Sequence, residues 1–189
     1  MFADRSDRSV GKNSAWSGKF VRDSPGGGND WGKGEPRLSA VAANPTIRRA
    51  EPSEEQRLRE IAAAAKGHWG YEAQRVRAWA GGLELRDRDE TWVAVVGDDV
   101  VAWLALIPGP SVCMLEDLWV EPGAMGRGIG SALFRFAADR ARELGANWLQ
   151  WESEPNATRF YEKLGGVQVG ETLGSWGRPL PVMQLDLTG

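Results

Sequence analysis

Cysteine and histidine are scarce in this chain, and each scarcity closes off a class of chemistry. Among 189 residues there is one cysteine, Cys113, one histidine, His68, and two tyrosines, Tyr71 and Tyr161. A single thiol allows no disulfide within the chain, and its place in an apolar strand reads as a buried thiol rather than a nucleophile. One imidazole cannot supply a cluster of histidine metal ligands, and it removes mechanisms that need a Ser-His pair elsewhere. No metal site is expected. No apolar run approaches the roughly 20 residues that cross a bilayer. The formal net charge of −3 gives no general pull toward nucleic acid or an anionic membrane. The expectation is a cytoplasmic domain without nucleic-acid or membrane partners, and its Arg-rich, Lys-poor usage fits bacteria with GC-rich genomes.

Two phosphate motifs are also absent. No Gly-Lys followed by Ser or Thr occurs, which excludes the loop of nucleotide triphosphatases. The dinucleotide fingerprint needs G-x-G-x-x-G after the first strand of a βαβ unit, and the glycine-rich turn of this chain comes too late for that.

What is present divides near residue 45. Residues 1–44 mix Ser, Gly, Asn and charges of both signs, include Gly26, Gly27 and Gly28, and lack a periodic apolar pattern. Such a stretch cannot bury enough surface to fold alone and reads as a low-order tail, with no apolar signal region. Its Trp16, Phe20 and Trp31 are the residues that could dock. Residues 45–189 form the expected domain, long enough for one core of ordinary size.

From Thr46 the pattern becomes regular. The spacing predicts a strand at 46–50 and a helix opening at Pro52, with Ser53 as candidate N-cap and Leu58, Ile61, Ala62 and Ala65 at helical spacing. A second helix is predicted over 72–80. Strands at 91–96 and 100–107 meet at Gly97-Asp98-Asp99, a hairpin signal. A strand at 114–120, a helix at 128–144, a strand at 147–152, a helix at 157–164 and strands at 167–170 and 182–187 complete the order. In the long helix Ile129, Leu133, Phe136 and Ala137 fall near one face, which places Phe136 in the core.

The most informative segment runs from Leu115 to Leu133, where an apolar strand enters a turn with glycines at 126, 128 and 130 and a helix opens behind it. Glycines let backbone N–H groups approach a ligand, and a helix start adds unpaired donors and a positive dipole end, so a diphosphate fits. Met125, Gly128 and Gly130 resemble the acyl-coenzyme A signature Arg/Gln-x-x-Gly-x-Gly/Ala of the GCN5-related N-acetyltransferase (GNAT) superfamily, with Met125 departing at the first position and Arg127 supplying a positive charge two residues on. Asn156 to Gly166 resembles the second signature of that superfamily, N-x-x-x-x-F-Y-x-K-x-G-F. Here the asparagine stands one residue closer to Phe160, and Gly166 replaces the terminal aromatic. The resemblance covers about residues 46 to 187.

The resemblance implies an α/β (α+β) GNAT fold: a central mixed, mostly antiparallel sheet whose fourth and fifth strands splay, with helices on both faces. It implies an N-acetyltransferase that uses acetyl-CoA as co-substrate and acetylates a primary amine of a small molecule or peptide by direct transfer in a ternary complex. It implies that strand backbone near Leu118 and Val120 holds the pantetheine arm. It further implies that Gly126, Arg127, Gly128, Ile129, Gly130 and Ser131 surround the diphosphate, and that Asn156 touches the pantetheine or its loop. An N-cap role for Asn156 is the alternative.

Tyr161 matches the tyrosine usually taken to protonate the leaving thiolate, with Phe160 beside it free to take the core role; the alternative is a packed aromatic. Glu116 and Asp117 are adjacent on a strand and so face opposite ways. Glu116 is the candidate that binds a cationic acceptor or takes its proton, against a strand-edge salt bridge, while Asp117 is expected to have a structural partner. Trp69 and Tyr71 lie in a segment that shapes the acceptor pocket in the superfamily, or form a helix-corner plug, and the resemblance places Trp176 and Arg178 on the acceptor side as well. The resemblance leaves a homodimer open. Two other classes stay in view: a catalytically degenerate coenzyme A-binding regulator, and an interaction protein that retains the fold.

Overall fold

The computed structural model describes residues 45–83, 90–174 and 176–189. The tail reading for 1–44, with Trp16, Phe20 and Trp31, lies outside the described residues. Eleven elements follow in chain order: β1 (Thr46–Arg49), α1 (Glu55–His68), α2 (Ala73–Gly81), β2 (Glu90–Val96), β3 (Asp99–Ile107), β4 (Val112–Val120), α3 (Ile129–Glu143), β5 (Trp148–Glu152), α4 (Thr158–Glu162), β6 (Val167–Leu173) and β7 (Pro179–Asp186). The order is the expected one, and the element ends shift by a few residues.

The strands form one seven-stranded sheet in the order β1-β2-β3-β4-β5-β7-β6. Every neighbouring pair is antiparallel except β4 and β5, which run parallel. That parallel pairing covers only Val112, Cys113 and Met114 against Trp148, Leu149 and Gln150. Beyond Met114 the two strands part, and Leu115 to Val120 keep their pairing to β3 alone among the described residues. The parting coincides with a bulge. Ala105 faces Asp117 and Leu106 faces Leu115, which leaves Glu116 as the extra residue on β4.

Helices cover both faces. Trp103 of β3 donates its Nε1–H to the Leu58 carbonyl of α1 at 2.8 Å, and Arg57 reaches the Val100 carbonyl at 3.1 Å, so α1 is pinned to one face. On the other face α3 buries Ile129, Leu133, Phe134, Ala137, Ala138 and Ala141. Each large apolar side chain sealed this way contributes about 1.5–3 kcal/mol. Phe136 is not among them. It is half-buried against Trp92, with ring centroids 4.7 Å apart, and Phe134 takes the core place expected for it. The buried stripe of α3 is rotated from the expected one, and Arg140, four residues beyond Phe136, bonds to the buried Glu90 of β2 at 2.8 and 3.0 Å.

Two caps also differ from expectation. A short 3-10 turn, Pro52–Glu54, precedes α1, and the Glu54 carboxylate accepts the backbone N–H of Glu51, so Glu51 rather than Ser53 sits at the cap. Asn156 is exposed inside another 3-10 turn, Pro155–Ala157, and the residue preceding α4 is Ala157, so the N-cap alternative for Asn156 fails. Cys113 is fully buried, and burial pushes its thiol up to about 11, as expected of an inert thiol. Among the described residues no helix is long and apolar enough to cross a membrane.

Candidate functional site

After β4 the chain makes a 3-10 turn, Pro122–Ala124, then passes Met125 to Gly128 and enters α3. Gly126 and Gly128 have φ of +74° and +83°, a conformation that L side chains rarely adopt. Gly128 is the N-cap of α3 and no side chain caps the helix, so the first N–H groups of Ile129, Gly130 and Ser131 face outward with the positive end of the dipole behind them. Gly130 serves a different purpose. A Cβ there would lie 3.5 Å from a Val120 methyl and 3.6 Å from the Phe160 ring, which is ordinary contact, so this glycine closes helix against strand.

Met125 packs against the core, and Arg127 lines a cavity of about 670 Å³ with Glu121, Asp99 and Val101 on the α1 side of the turn. Leu118 and Val120, both buried, end the strand that parts from β5. The helix start and the open edge of β4 are therefore adjacent. A phosphate fits the first, and an extended chain with amides fits the second.

The second signature places its aromatics differently from the sequence reading. Tyr161 is 1% exposed, packed on Trp151 at 4.7 Å, Phe160 at 5.0 Å and Phe134 at 5.2 Å between ring centroids. Phe160 is only half-buried, so the core role expected for Phe160 belongs to Tyr161. Burial raises the Tyr161 hydroxyl well above the ordinary tyrosine range, and it keeps its proton at neutral pH. Gly166 stands where the superfamily has an aromatic. A Cβ at 166 would come within 2.9 Å of two ring atoms of Trp151, so the indole from β5 fills that space. Trp151 Nε1 is buried without a hydrogen-bond partner.

On the α1 face the structure brings together residues from six segments. Tyr71 donates its hydroxyl proton to Glu154 Oε1 at 2.6 Å and accepts from Arg178 at 2.6 Å. Its ring meets Trp176 edge-on at 4.8 Å. Trp79 of α2 meets Trp119 of β4 at 5.2 Å. Between these rings stands Lys66, its Nζ 4.4 Å from the Trp79 ring, 4.5 Å from Trp176, 5.1 Å from Tyr71 and 5.8 Å from Trp119. Of the expected acceptor-pocket residues, Tyr71 and Trp176 join this cluster. Trp69 does not: it caps α1 and meets His68 edge-on at 4.8 Å.

Lys66, Trp79, Trp119 and Glu154 were not legible as site residues. The one sequence signal is Lys66 itself, a charge four residues after Ala62 on the buried stripe of α1. Asp117, buried, accepts the Trp119 indole N–H at 2.8 Å, the structural partner expected for it. Glu116 is half-buried at the bulge. Among the described residues no group of three or more His, Cys, Asp or Glu could hold a metal ion.

Comparison with known proteins gives the same picture. The chain is similar to streptothricin acetyltransferase of Streptomyces lavendulae, 43% identical over 92 residues, which are 44% of this chain and 48% of that protein. It is also similar to the peptidyl-lysine N-acetyltransferase YjaB of Salmonella typhimurium, 30% identical over 95 residues, 50% of this chain and 62% of that protein. The chain thus spans about half to three-fifths of the length of these curated relatives. The solved structure of an aminoglycoside 6'-N-acetyltransferase complexed with coenzyme A shares the fold, with a TM-score of 0.60 at 17% identity over 76% of this chain and 98% of that one. The model of the Acetyltransferase (GNAT) family matches residues 55–166, from the first residue of α1 to the turn before β6, and with more than half of its length so matched the chain belongs to that family.

Proposed function

We propose that this protein moves an acetyl group from acetyl-CoA to a primary amine of a small molecule or peptide, by direct transfer in a ternary complex. The observation that carries the reading is the junction of an uncapped helix start, with left-handed Gly126 and Gly128, and a strand edge left open where β4 parts from β5. Bound acetyl-CoA supplies the acetyl group as a thioester. Backbone N–H groups from Gly126 to Ser131 hold a diphosphate, with Arg127 adding charge. Backbone amides near Leu118 and Val120 pair with the pantetheine arm, and Asn156 stands on the turn beside α4. A backbone N–H of β4 holds the thioester oxygen.

Two side chains carry the proton movements. Glu116, the extra residue at the bulge of β4, binds the acceptor's cation or takes its proton through water. Tyr161, kept protonated by burial, returns a proton to the leaving thiolate. The acceptor enters over the Tyr71 and Trp176 side. One relative is named as a peptidyl-lysine N-acetyltransferase and another as a streptothricin acetyltransferase, which supports an amine acceptor on a peptide or a small molecule. A homodimer is supported by the edge strand β6, where Val167, Val169 and Leu173 are 57%, 53% and 68% exposed.

Titration with acetyl-CoA followed by thermal shift tests the reading. At a concentration about 100 times Kd the gain is about 2.7 kcal/mol. Saturable stabilisation, followed by thiol release on adding amines, is the expected result. No stabilisation at millimolar acetyl-CoA overturns it.

A further inference from the structure

Lys66 sits where the proposed acceptor would have to sit. Trp103 and Trp119 are register partners on β3 and β4, and the Trp103 indole bonds to α1, so Trp119 lies on the α1 face too. Val120, the next residue, meets α3 on the opposite face at Gly130. Glu154 follows the end of β5 by two residues. Lys66 is thus bracketed by Trp119 on one lip of the parted strands and by the Tyr71–Glu154 pair on the other. A thioester held along the edge of β4 where it parts from β5 would meet the Lys66 amine.

The amine is held as a nucleophile must be. Lys66 is 3% exposed, and four ring faces surround its Nζ. Among the described residues it donates no hydrogen bond and forms no ion pair within 4 Å. Ring faces attract the ammonium but leave the nitrogen without a strong hydrogen-bond partner. Burial pushes it down to about 8, with the Glu154 carboxylate opposing and the Arg178 guanidinium assisting. The buried amine therefore gives up its proton more readily than an exposed lysine does.

We propose that Lys66 is itself an acetylation site of this enzyme, modified within its own chain; this rests on the acetyltransferase reading above. The Nζ lone pair forms a bond to the acetyl carbonyl carbon, the carbon–sulfur bond breaks, and the thiolate leaves with the proton that Nζ gives up. The products are N-acetyl-lysine at position 66 and free coenzyme A. No oxidant or metal is needed. The amide is neutral, so the modification removes the charge from among Trp79, Trp119 and Trp176.

The test is to incubate the full chain with acetyl-CoA labelled in the acetyl group and to locate the label by peptide mass mapping. Label is expected on Lys66 and not on the exposed Lys163, at a first-order rate unchanged by dilution of the protein, with a change in tryptophan fluorescence. It is lost in Lys66→Arg and in Lys66→Met, each checked for heat stabilisation by acetyl-CoA to show that it folds. Acetyl-CoA that stabilises the protein while Lys66 stays unlabelled, or is labelled no more than Lys163, overturns the proposal and leaves the transferase reading intact. A rate that rises with protein concentration overturns the intrachain step. Absence of both stabilisation and label sinks the two readings together.

Discussion

The Tyr71 hydroxyl donates to Glu154 Oε1 across 2.6 Å, tying the turn after α1 to the segment that leaves β5. Glu154 is 3% exposed, and its other neighbour, Arg178, stands 3.9 Å away. Burial first, and the Glu154 carboxylate second, hold the Tyr71 proton far above the ordinary range. Tyr71→Phe removes the donor from a buried carboxylate and should cost about 1–3 kcal/mol. If the cluster is the acceptor side, KM for the amine rises while acetyl-CoA affinity holds, a split read by steady-state kinetics with each substrate varied.

The glycines of the turn separate by role. Gly128→Ala forces an L side chain to φ of +83° and should cost about 1–2 kcal/mol. It should also weaken acetyl-CoA binding measured by calorimetry. Gly130→Ala meets only ordinary contacts and should stay within about 0.5 kcal/mol of the parent.

For the proton steps, Tyr161→Phe preserves the ring packing and should keep acetyl-CoA binding while lowering turnover. Glu116→Gln should raise the acceptor's KM or lower turnover without altering the thermal shift by acetyl-CoA. Unchanged turnover in either variant removes that residue from the mechanism.

Glu90 is a structural counterpart. Its carboxylate is bound by Arg140, by Arg49 at 2.7 Å and by the Trp92 indole at 2.8 Å, tying β2 to β1 and α3. Arg140 above all holds Glu90 below the usual carboxylate range, against burial. The folded pKa is thus depressed below its unfolded value near about 4.3. The stabilisation is present above that value and lost as pH falls through the folded pKa. Glu90→Gln should cost about 2–4 kcal/mol at pH 7, and the gap between variant and parent in thermal melts should narrow as the medium is made more acid than about pH 4.

Gly166→Ala should place a methyl against the Trp151 ring, where a Cβ comes within 2.9 Å. The expected cost is about 1–3 kcal/mol, read by chemical denaturation. Restoring the aromatic that the superfamily carries at this position should cost more, because the indole already occupies its volume.

Local physics was legible in the chain. The Gly97 hairpin, the strand running into Gly126 and Gly128, and the helix behind them rest on residues within about a turn of one another, where φ preference and apolar period act directly. The same locality explains the misplacement in α3. Phe134 and Phe136 lie on nearly opposite sides of the helix, and the side that carries Phe136 meets Trp92 and, through Arg140, Glu90, partners about 50 residues away in sequence. Tyr161 and Phe160 exchanged packing roles for the same kind of reason, since Trp151 and Phe134 supply the aromatic surroundings of Tyr161 from β5 and α3.

The sequence by itself determined the order of elements, the glycine-rich helix start and the family signatures, because these depend on neighbours along the chain. Only the tertiary structure decided that Trp151 takes the space above Gly166, that Glu116 is the bulged residue where β4 leaves β5, and that Lys66 is ringed by Tyr71, Trp79, Trp119 and Trp176. Those contacts join positions scattered from α1 to the loop before β7. No local period encodes them, and they exist only once the sheet has set its register and the helices have closed on its two faces.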